Sequence, residues 1–332
     1  MSRKAWIGAG LAAISCAAIL ALGLETLRPD SERTSAAPTA AKTEARSATK
    51  TEALPSPGQP RLLRHFEVRD LGRVGDGEGP QVLEPFDGFV YGHHGTYEDA
   101  IATLASRGKT CYRYYNVLTT PLPEWIGGGS PWFDWVDSVV VRQWGATVRQ
   151  ADGRPARFRW FGKPAIIDWS QIGPARGRVI AQKQVELLGA ARGLFLDQFW
   201  LGPAPWMFDR ESGEFQEWPK ARAAAWQTNI LSYLDQVRAL APGPTLINGA
   251  DDAPMPICLE NAQNDWPASV ALWKRHPLNV LSIRVDAPAY QDSLIGLWLG
   301  RGGLIAMSGE WAETQPFYAR ASSARELASP RQ

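Results

Sequence analysis

From about residue 84 onward, the hydrophobic and polar positions of the chain follow two alternating periodicities. Short apolar runs typical of buried strands are separated by longer stretches whose apolar residues recur at helical spacing, a pattern that favours parallel strands joined by helices. Eight strand-like runs in a segment of this length predict an α/β fold, a closed (β/α)8 TIM barrel. These runs are residues 86–92, 109–117, 165–170, 193–199, 245–250, 257–262, 280–285 and 304–311.

One segment interrupts the alternation of strands and helices. Residues 137–162 read DSVVVRQWGATVRQADGRPARFRWFG, with apolar and polar residues alternating on both sides of Ala-Asp-Gly. A period of two about a turn of this composition is typical of two antiparallel strands. The barrel is therefore expected to carry a β-hairpin insertion.

The first 60 residues differ in composition from the rest. Ser-Arg-Lys precedes the uncharged run Ala5–Leu24, which is long enough to cross a membrane as a helix. Because a cleaved signal peptide has the same features, residues 1–27 are expected to be a signal anchor or signal peptide, the uncleaved anchor being favoured. Residues 28–60 contain almost no large apolar side chain, which predicts a disordered linker. The barrel, residues 61–332, is then expected outside the cytoplasm, membrane-anchored or periplasmic, at the cell surface.

Charge and cysteine content exclude several classes of protein. The 332 residues have a formal net charge of +1, without a long run of one sign, so no nucleic-acid partner is expected. The three cysteines form no C-x-x-C pair, and neither a complete phosphate-loop signature nor a G-x-S-x-G elbow is present. We predict neither a cofactor nor a metal site. His93, which follows a predicted strand, is assigned to the binding cleft, with loop packing as the alternative.

Polar residues recur where the predicted strands end. In a parallel barrel the carboxyl ends of the strands surround one opening, and active sites lie there. Asp197 ends the apolar run GLFLDQFW, which explains how a carboxylate can follow so apolar a segment: the strand leaves the core at that residue. The other polar residues at strand ends are Asp168, Asn248, Glu260, Asn261, Arg284 and Glu310.

Several carboxyl groups around one opening suit hydrolysis of a glycosidic bond. That reaction needs one carboxyl group to protonate the leaving oxygen and a second to attack carbon or activate water. Asp197 and Glu260 are predicted to be this catalytic pair, with their pKa values separated by mutual repulsion and nearby tryptophan. For Arg284, an ion pair with Asp286 or another acid is the alternative to substrate binding. The residues assigned to substrate binding are Asp168, Gln198, Asn248, Asn261, Arg284 and Glu310.

The chain contains 15 tryptophans, several of them beside polar residues. Flat aromatic rings pack well against the C–H faces of pyranose sugars, although tryptophan also serves simply as core. Trp169, Trp200 and Trp311 lie at or next to the ends of predicted strands and are assigned to the substrate-binding cleft. A polysaccharide or oligosaccharide is the expected substrate.

At GLFLDQFW the chain resembles bacterial TIM-barrel glycoside hydrolases of the group around endo-α-1,4-polygalactosaminidase. The resemblance rests on Gly193–Gln198, on Ile167-Asp168, on Glu260-Asn261 and on LIAMSGEW at 304–311, and it spans about residues 84–311. It implies hydrolysis of a polysaccharide at the cell surface. Many members have Glu where this chain has Gln198, so a non-catalytic carbohydrate-binding barrel is the alternative function. A scaffold protein without affinity for glycans is a third possibility.

Overall fold

A computed structural model describes residues 59–65, 86–91, 98–209, 218–250, 255–309 and 311–328. The predicted anchor or signal peptide (1–27) lies outside these residues, as does the predicted linker up to residue 58. His93 and Glu310 lie outside them too. Among the residues that are described, no helix is long and apolar enough to cross a membrane.

Eight parallel strands close into a barrel in which each strand pairs with its neighbours in chain order. The ring closes between the first and last strands, where Pro60 lies opposite Gly303 and Leu62 opposite Ile305. The predicted (β/α)8 barrel is thus confirmed. The strands are β1 (Pro60–His65), β2 (Gly88–Tyr91), β3 (Thr110–Asn116), β4 (Gly193–Asp197), β5 (Thr245–Asn248), β6 (Ile257–Leu259), β7 (Val280–Arg284) and β8 (Gly303–Ser308).

The first strand of the barrel is absent from the predicted set. β1 reads PRLLRH, in which Arg61 and Arg64 flank two leucines, so its sequence does not look like a buried strand. Both arginines are nevertheless buried, at 7% and 3% exposure. As a result, the predicted first and second strands are β2 and β3 of the barrel.

The predicted third strand, residues 165–170, is not part of the barrel. β3 pairs directly with β4, with Asn116 opposite Asp197. Ile166 and Ile167 instead form isolated antiparallel bridges with Thr119 and Thr147. The apolar run is buried as predicted, but a short run of this kind does not reveal which segment covers it.

Helices surround the barrel. Helix Lys220–Leu240 shows why they form: its buried residues Trp226, Ile230, Tyr233 and Val237 recur every three or four positions and so share one face. The helices are α1 (Glu98–Ser106), α2 (Pro131–Trp135), α3 (Pro174–Glu186), α4 (Lys220–Leu240), α5 (Trp266–Trp273), α6 (Gln291–Arg301) and α7 (Trp311–Ala328). A π-helix spans Val136–Gln143, and 3-10 helices span Pro123–Trp125, Trp169–Gln171, Pro205–Met207, Ala262–Asp265 and Pro288–Tyr290.

The insertion between β3 and β4 is only partly a β-hairpin. Its predicted first arm is the π-helix, in which Val136 and Val140 are buried four residues apart. Antiparallel pairing begins later: the amide of Ala156 donates to the carbonyl of Val148 (2.8 Å), and Arg149 bridges Pro155. The predicted hairpin is therefore correct around the Ala-Asp-Gly turn and wrong before it.

Candidate active site

The register of the strands brings four polar side chains to the mouth of the barrel. The apolar cluster inside the barrel includes Tyr112, Phe195, Leu246 and Cys258. Alternate residues of a strand face the same side, so the residue two positions later faces the barrel axis again, one layer closer to the carboxyl ends. The residues at these positions are Tyr114 on β3, Asp197 on β4, Asn248 on β5 and Glu260 directly after β6.

These four side chains form one hydrogen-bond network. The hydroxyl of Tyr114 donates to Oδ2 of Asp197 at 2.5 Å, and Nδ2 of Asn248 donates to Oδ1 of Asp197 at 2.7 Å. The same Asn248 nitrogen lies 2.9 Å from Oε2 of Glu260, to which it also donates. One amide therefore bridges the two predicted catalytic carboxyl groups.

Both carboxyl groups titrate above their ordinary range. Burial, followed by the charge of Glu260, raises the pKa of Asp197 from 3.8 to about 6, against the opposing effect of hydrogen bonds from Tyr114 and Asn248. Desolvation by the surrounding pocket also raises the pKa of Glu260. Burial and the neighbouring acids raise the pKa of Tyr114 well above 10, so its hydroxyl remains a donor. The pair can thus hold a proton near neutral pH.

The residue after each carboxylate has a left-handed backbone. Gln198 has φ 55° and Asn261 has φ 56°. Residues other than glycine seldom adopt this conformation, and those that do cluster at functional sites. At both places the chain turns away from the barrel at the residue directly after the acid.

A pocket of about 550 Å³ opens over this network. Its volume is within the range of small-molecule sites, and it combines aromatic walls with a few polar groups, as such sites do. The residues lining it are Phe158, Trp160, Phe161, Asp197, Gln198, Trp200, Trp206, Asn248, Gly249, Cys258, Leu259, Glu260, Asn261 and Ser269. In the part of the chain that the structure describes, no group of three or more His, Cys, Asp or Glu side chains could hold a metal ion.

Six of the residues predicted for the site line this pocket together. They are Asp197, Gln198, Trp200, Asn248, Glu260 and Asn261. Two polar atoms among them, Oε1 of Gln198 and Nε1 of Trp200, are buried and lack a hydrogen-bond partner within the described residues. A bound ligand could supply those partners.

Asp168 and Trp169 lie in the protein interior, outside the pocket lining. The carboxylate of Asp168 is fully buried and accepts hydrogen bonds from Arg222 at 2.7 Å and Gln171 at 2.6 Å. Trp169 is 1% exposed, and its indole nitrogen donates to the carbonyl of Val117 at 2.8 Å. These contacts join the insertion to α4 and are structural.

Arg284 is not among the residues that line the pocket. At the end of β7 it forms an ion pair with Asp286, the alternative predicted for it. Trp311 begins α7.

Several residues of the site, in the hydrogen-bond network or in the pocket lining, carry no role in the sequence prediction. Tyr114 belongs to a predicted strand, and its position two residues after an inward-facing tyrosine was a signal that could have placed it at the mouth. Four aromatic side chains from the insertion and from the segment after β4 also line the pocket. Their positions in a strand pattern do not mark them, because their approach to the pocket depends on how these segments fold. They are Phe158, Trp160, Phe161 and Trp206.

Comparison with solved structures supports the barrel. The cycloalternan-degrading enzyme from Trueperella pyogenes superposes with a TM-score of 0.53 at 13% identity, over 82% of this chain and 49% of that one. The same enzyme in complex with cycloalternan gives a TM-score of 0.51 at 12% identity, over 82% and 47%. The likeness is one of fold. The chain spans about half the length of these structures.

A further similar structure is the glycoside hydrolase domain of PelA from Pseudomonas aeruginosa. Its TM-score is 0.45 at 16% identity, and the match covers 76% of this chain and 95% of that domain. No protein-family model matches the sequence, and no curated protein matches it.

Proposed function

We propose that the protein is a glycoside hydrolase that cleaves a polysaccharide or oligosaccharide through Asp197 and Glu260. The observation that carries this proposal is the bridge by Asn248, which holds two carboxyl groups of raised pKa side by side in an aromatic pocket. Such a pair supplies both the proton and the second carboxylate that glycoside hydrolysis needs. The similar barrel whose name describes it as degrading cycloalternan adds support, because it acts on a carbohydrate.

The spacing of the two acids favours retention of anomeric configuration. One nitrogen lies 2.7 Å from an oxygen of Asp197 and 2.9 Å from an oxygen of Glu260. Those two oxygens must therefore be closer together than the sum of the two distances. Retaining enzymes have carboxyl groups about 5–5.5 Å apart, whereas inverting enzymes need about 6.5–9.5 Å to admit a water molecule.

In this mechanism, Asp197 is the nucleophile and Glu260 the general acid. Hydrogen bonds from Tyr114 and Asn248 favour the charged form of Asp197. Its carboxylate attacks the anomeric carbon while the bond to the leaving oxygen breaks, and Glu260 donates its proton to that oxygen. Glu260 then takes a proton from water, whose oxygen attacks the anomeric carbon and releases Asp197.

The proposed substrate is a surface polysaccharide of the kind cleaved by the endo-α-1,4-polygalactosaminidase group. Support comes from the motifs around Asp197 and Glu260 that resemble that group. The apolar run at 5–24 supports export, with the barrel held at the membrane or in the periplasm.

The test is release of reducing ends from α-1,4-linked polygalactosamine and from isolated surface polysaccharides by the full chain. Asp197→Asn and Glu260→Gln should each lower kcat at least 100-fold, because each removes a group that acts in the transition state. Asp235→Asn, a change at an exposed acid on α4, is the matched control and should retain full activity. Full activity in both pocket variants would contradict the assignment.

Azide distinguishes the two roles. Asp197→Ala supplied with azide should form a glycosyl azide of inverted configuration, because azide then attacks in place of the carboxylate. Glu260→Ala should instead give an azide of retained configuration from an activated substrate, through the covalent intermediate. The opposite pattern would exchange the two roles.

A carbohydrate-binding barrel without activity is the second candidate. Gln198 favours it, since many members of the resembled group have Glu there. Saturable binding of the same polysaccharides without turnover would support this alternative, and turnover that is lost in the acid variants would reject it.

A further inference from the structure

Three aromatic side chains at the pocket are unusually exposed for their size. Trp160 is 42% exposed, Phe161 68% and Trp206 40%. All three line the pocket that contains the two acids. An exposed aromatic patch that continues into a polar pocket is typical of a ligand-binding surface. We call these three residues the aromatic platform.

Neighbouring side chains hold the platform in position. Beneath it lies Phe158, which is 2% exposed and whose ring centroid is 5.2 Å from that of Trp160 and 6.3 Å from that of Phe161. The rings of Trp160 and Trp206 are 5.8 Å apart. The Arg159 guanidinium lies 4.7 Å from the Trp160 ring and donates a hydrogen bond to the carbonyl of Trp206 at 3.3 Å. The rings are therefore fixed before any ligand arrives.

The backbone that presents Phe161 is strained. Phe161 has φ 53° and Lys163 has φ 59°, a conformation unfavourable for residues other than glycine. The ammonium group of Lys163 pairs with Asp209 at 3.1 Å, which ties this turn to the loop that carries Trp206. Strain of this kind persists where the surrounding structure enforces it, often at ligand clamps.

The platform is continuous with the catalytic acids. The ring centroids of Trp200 and Trp206 are 4.8 Å apart, which links the platform to Trp200. Gln198 directly follows Asp197 in the chain. Between platform and acids, Oε1 of Gln198 lacks a donor and Nε1 of Trp200 lacks an acceptor within the described residues, and Gln198 is only 8% exposed. A sugar hydroxyl both donates and accepts hydrogen bonds, so it could satisfy both atoms.

We propose that the aromatic platform is a sugar-binding subsite, on which a pyranose ring of the substrate stacks while another unit of the same chain is cleaved between Asp197 and Glu260. The occupant follows from the proposed function and from the chemistry of the surface, because flat rings match the C–H face of a pyranose and the unpaired polar atoms match its hydroxyls. The protein should therefore prefer long chains to disaccharides.

The experiment measures kcat/KM of the full chain on α-1,4-linked galactosamine oligomers of two to eight units. Trp160→Ala and Trp206→Ala should each lower kcat/KM on the longest oligomers about tenfold, mainly through KM, and leave the shortest almost unchanged. Trp125→Ala is the matched control, since Trp125 is also 40% exposed and stacked on a neighbour, Phe133 at 5.5 Å, but does not line the pocket. Trp206→Phe should restore most of the preference, because it keeps a flat ring.

Binding separates this proposal from the proposed activity. Asp197→Asn, which should not turn over, is titrated calorimetrically with the octamer, alone and combined with Trp206→Ala. Tight binding that weakens about tenfold in the double variant supports the subsite, even if the wild-type chain shows no hydrolysis and the proposed function fails. Carboxylate-dependent hydrolysis with the same length preference in wild type, Trp160→Ala and Trp206→Ala would overturn the subsite alone. Absence of any binding of the octamer would also overturn it.

Discussion

Replacing Asp197 by Asn should stabilise the folded protein at neutral pH while it abolishes turnover. The carboxyl group is held in a desolvated position beside Glu260, and burial is the largest cause of its raised pKa. The ionised form is therefore less favourable in the folded state than in the unfolded chain. An amide of the same shape removes that charge and still reaches Tyr114 and Asn248. Stability and activity are expected to oppose each other at this residue.

The magnitude follows from the pKa of Asp197. A rise from 3.8 to about 6 is roughly two units, which at about 1.4 kcal/mol per unit corresponds to about 3 kcal/mol of destabilisation once the group is ionised. This figure already includes the hydrogen bonds from Tyr114 and Asn248, which favour the ionised form. The stabilisation by Asp197→Asn should therefore be about 3 kcal/mol at neutral pH.

The pH dependence of stability shows whether ionisation of Asp197 stabilises or destabilises the folded protein. Because the folded pKa is the higher one, this carboxyl destabilises the wild-type protein progressively as pH rises from about 4 to about 6, and the difference is constant above that range. Urea unfolding followed by tryptophan fluorescence at pH 4 and pH 8 measures it. The two proteins should be equally stable at pH 4, and Asp197→Asn more stable at pH 8. Asp235→Asn, the exposed control, should change stability by less than about 0.5 kcal/mol at either pH. Equal stability of wild type and Asp197→Asn at pH 8 would refute the reasoning.

Three further outcomes are expected. Glu260→Gln should lower the pKa of Asp197, because it removes the neighbouring charge, and the pH range of the stability change should move down accordingly. Tyr114→Phe should raise the same pKa and lower kcat about tenfold, as measured by pH–rate profiles, because it removes a donor to the carboxylate. Arg222→Met should destabilise the fold by about 3 kcal/mol in urea, since it leaves the buried carboxylate of Asp168 without its ionic partner, while the pH–rate profile stays unchanged.

The part of the site that could be predicted from sequence is the part that lies on barrel strands. Asp197 and Asn248 are the last residues of β4 and β5, and Glu260 directly follows β6. In a parallel barrel this position alone determines that a side chain reaches the mouth, so an apolar run that ends in a polar residue carries the information. Tyr114 lies two residues before the end of β3, so this rule does not find it, and an aromatic residue in an aromatic run does not stand out.

Asp168 shows that an apolar run followed by an acid does not always form a barrel strand. AIIDWS and GLFLDQFW have the same pattern, an apolar run followed by an acid and a tryptophan. Only the second run forms a barrel strand. The first is covered by the insertion, and its acid pairs with Arg222, which is 54 residues away in sequence. Which neighbour buries a short apolar run depends on long-range packing that the run itself does not encode.

The position of the aromatic platform also depends on long-range packing and could not be predicted from the sequence. Trp160 and Phe161 come from the insertion and Trp206 from the 3-10 helix Pro205–Met207 after β4, and neither segment contains a strand of the barrel. Contacts between the two segments bring them together: the amide of Arg159 donates to the carbonyl of Met207 at 3.0 Å. Strands and loops therefore contribute to the proposed site in different ways. Strand register positions the two acids of the proposed site to within a residue, because alternation along a strand fixes which face each side chain is on. The loops do not have that constraint, and in the proposed function they would determine which sugar chain reaches the two acids.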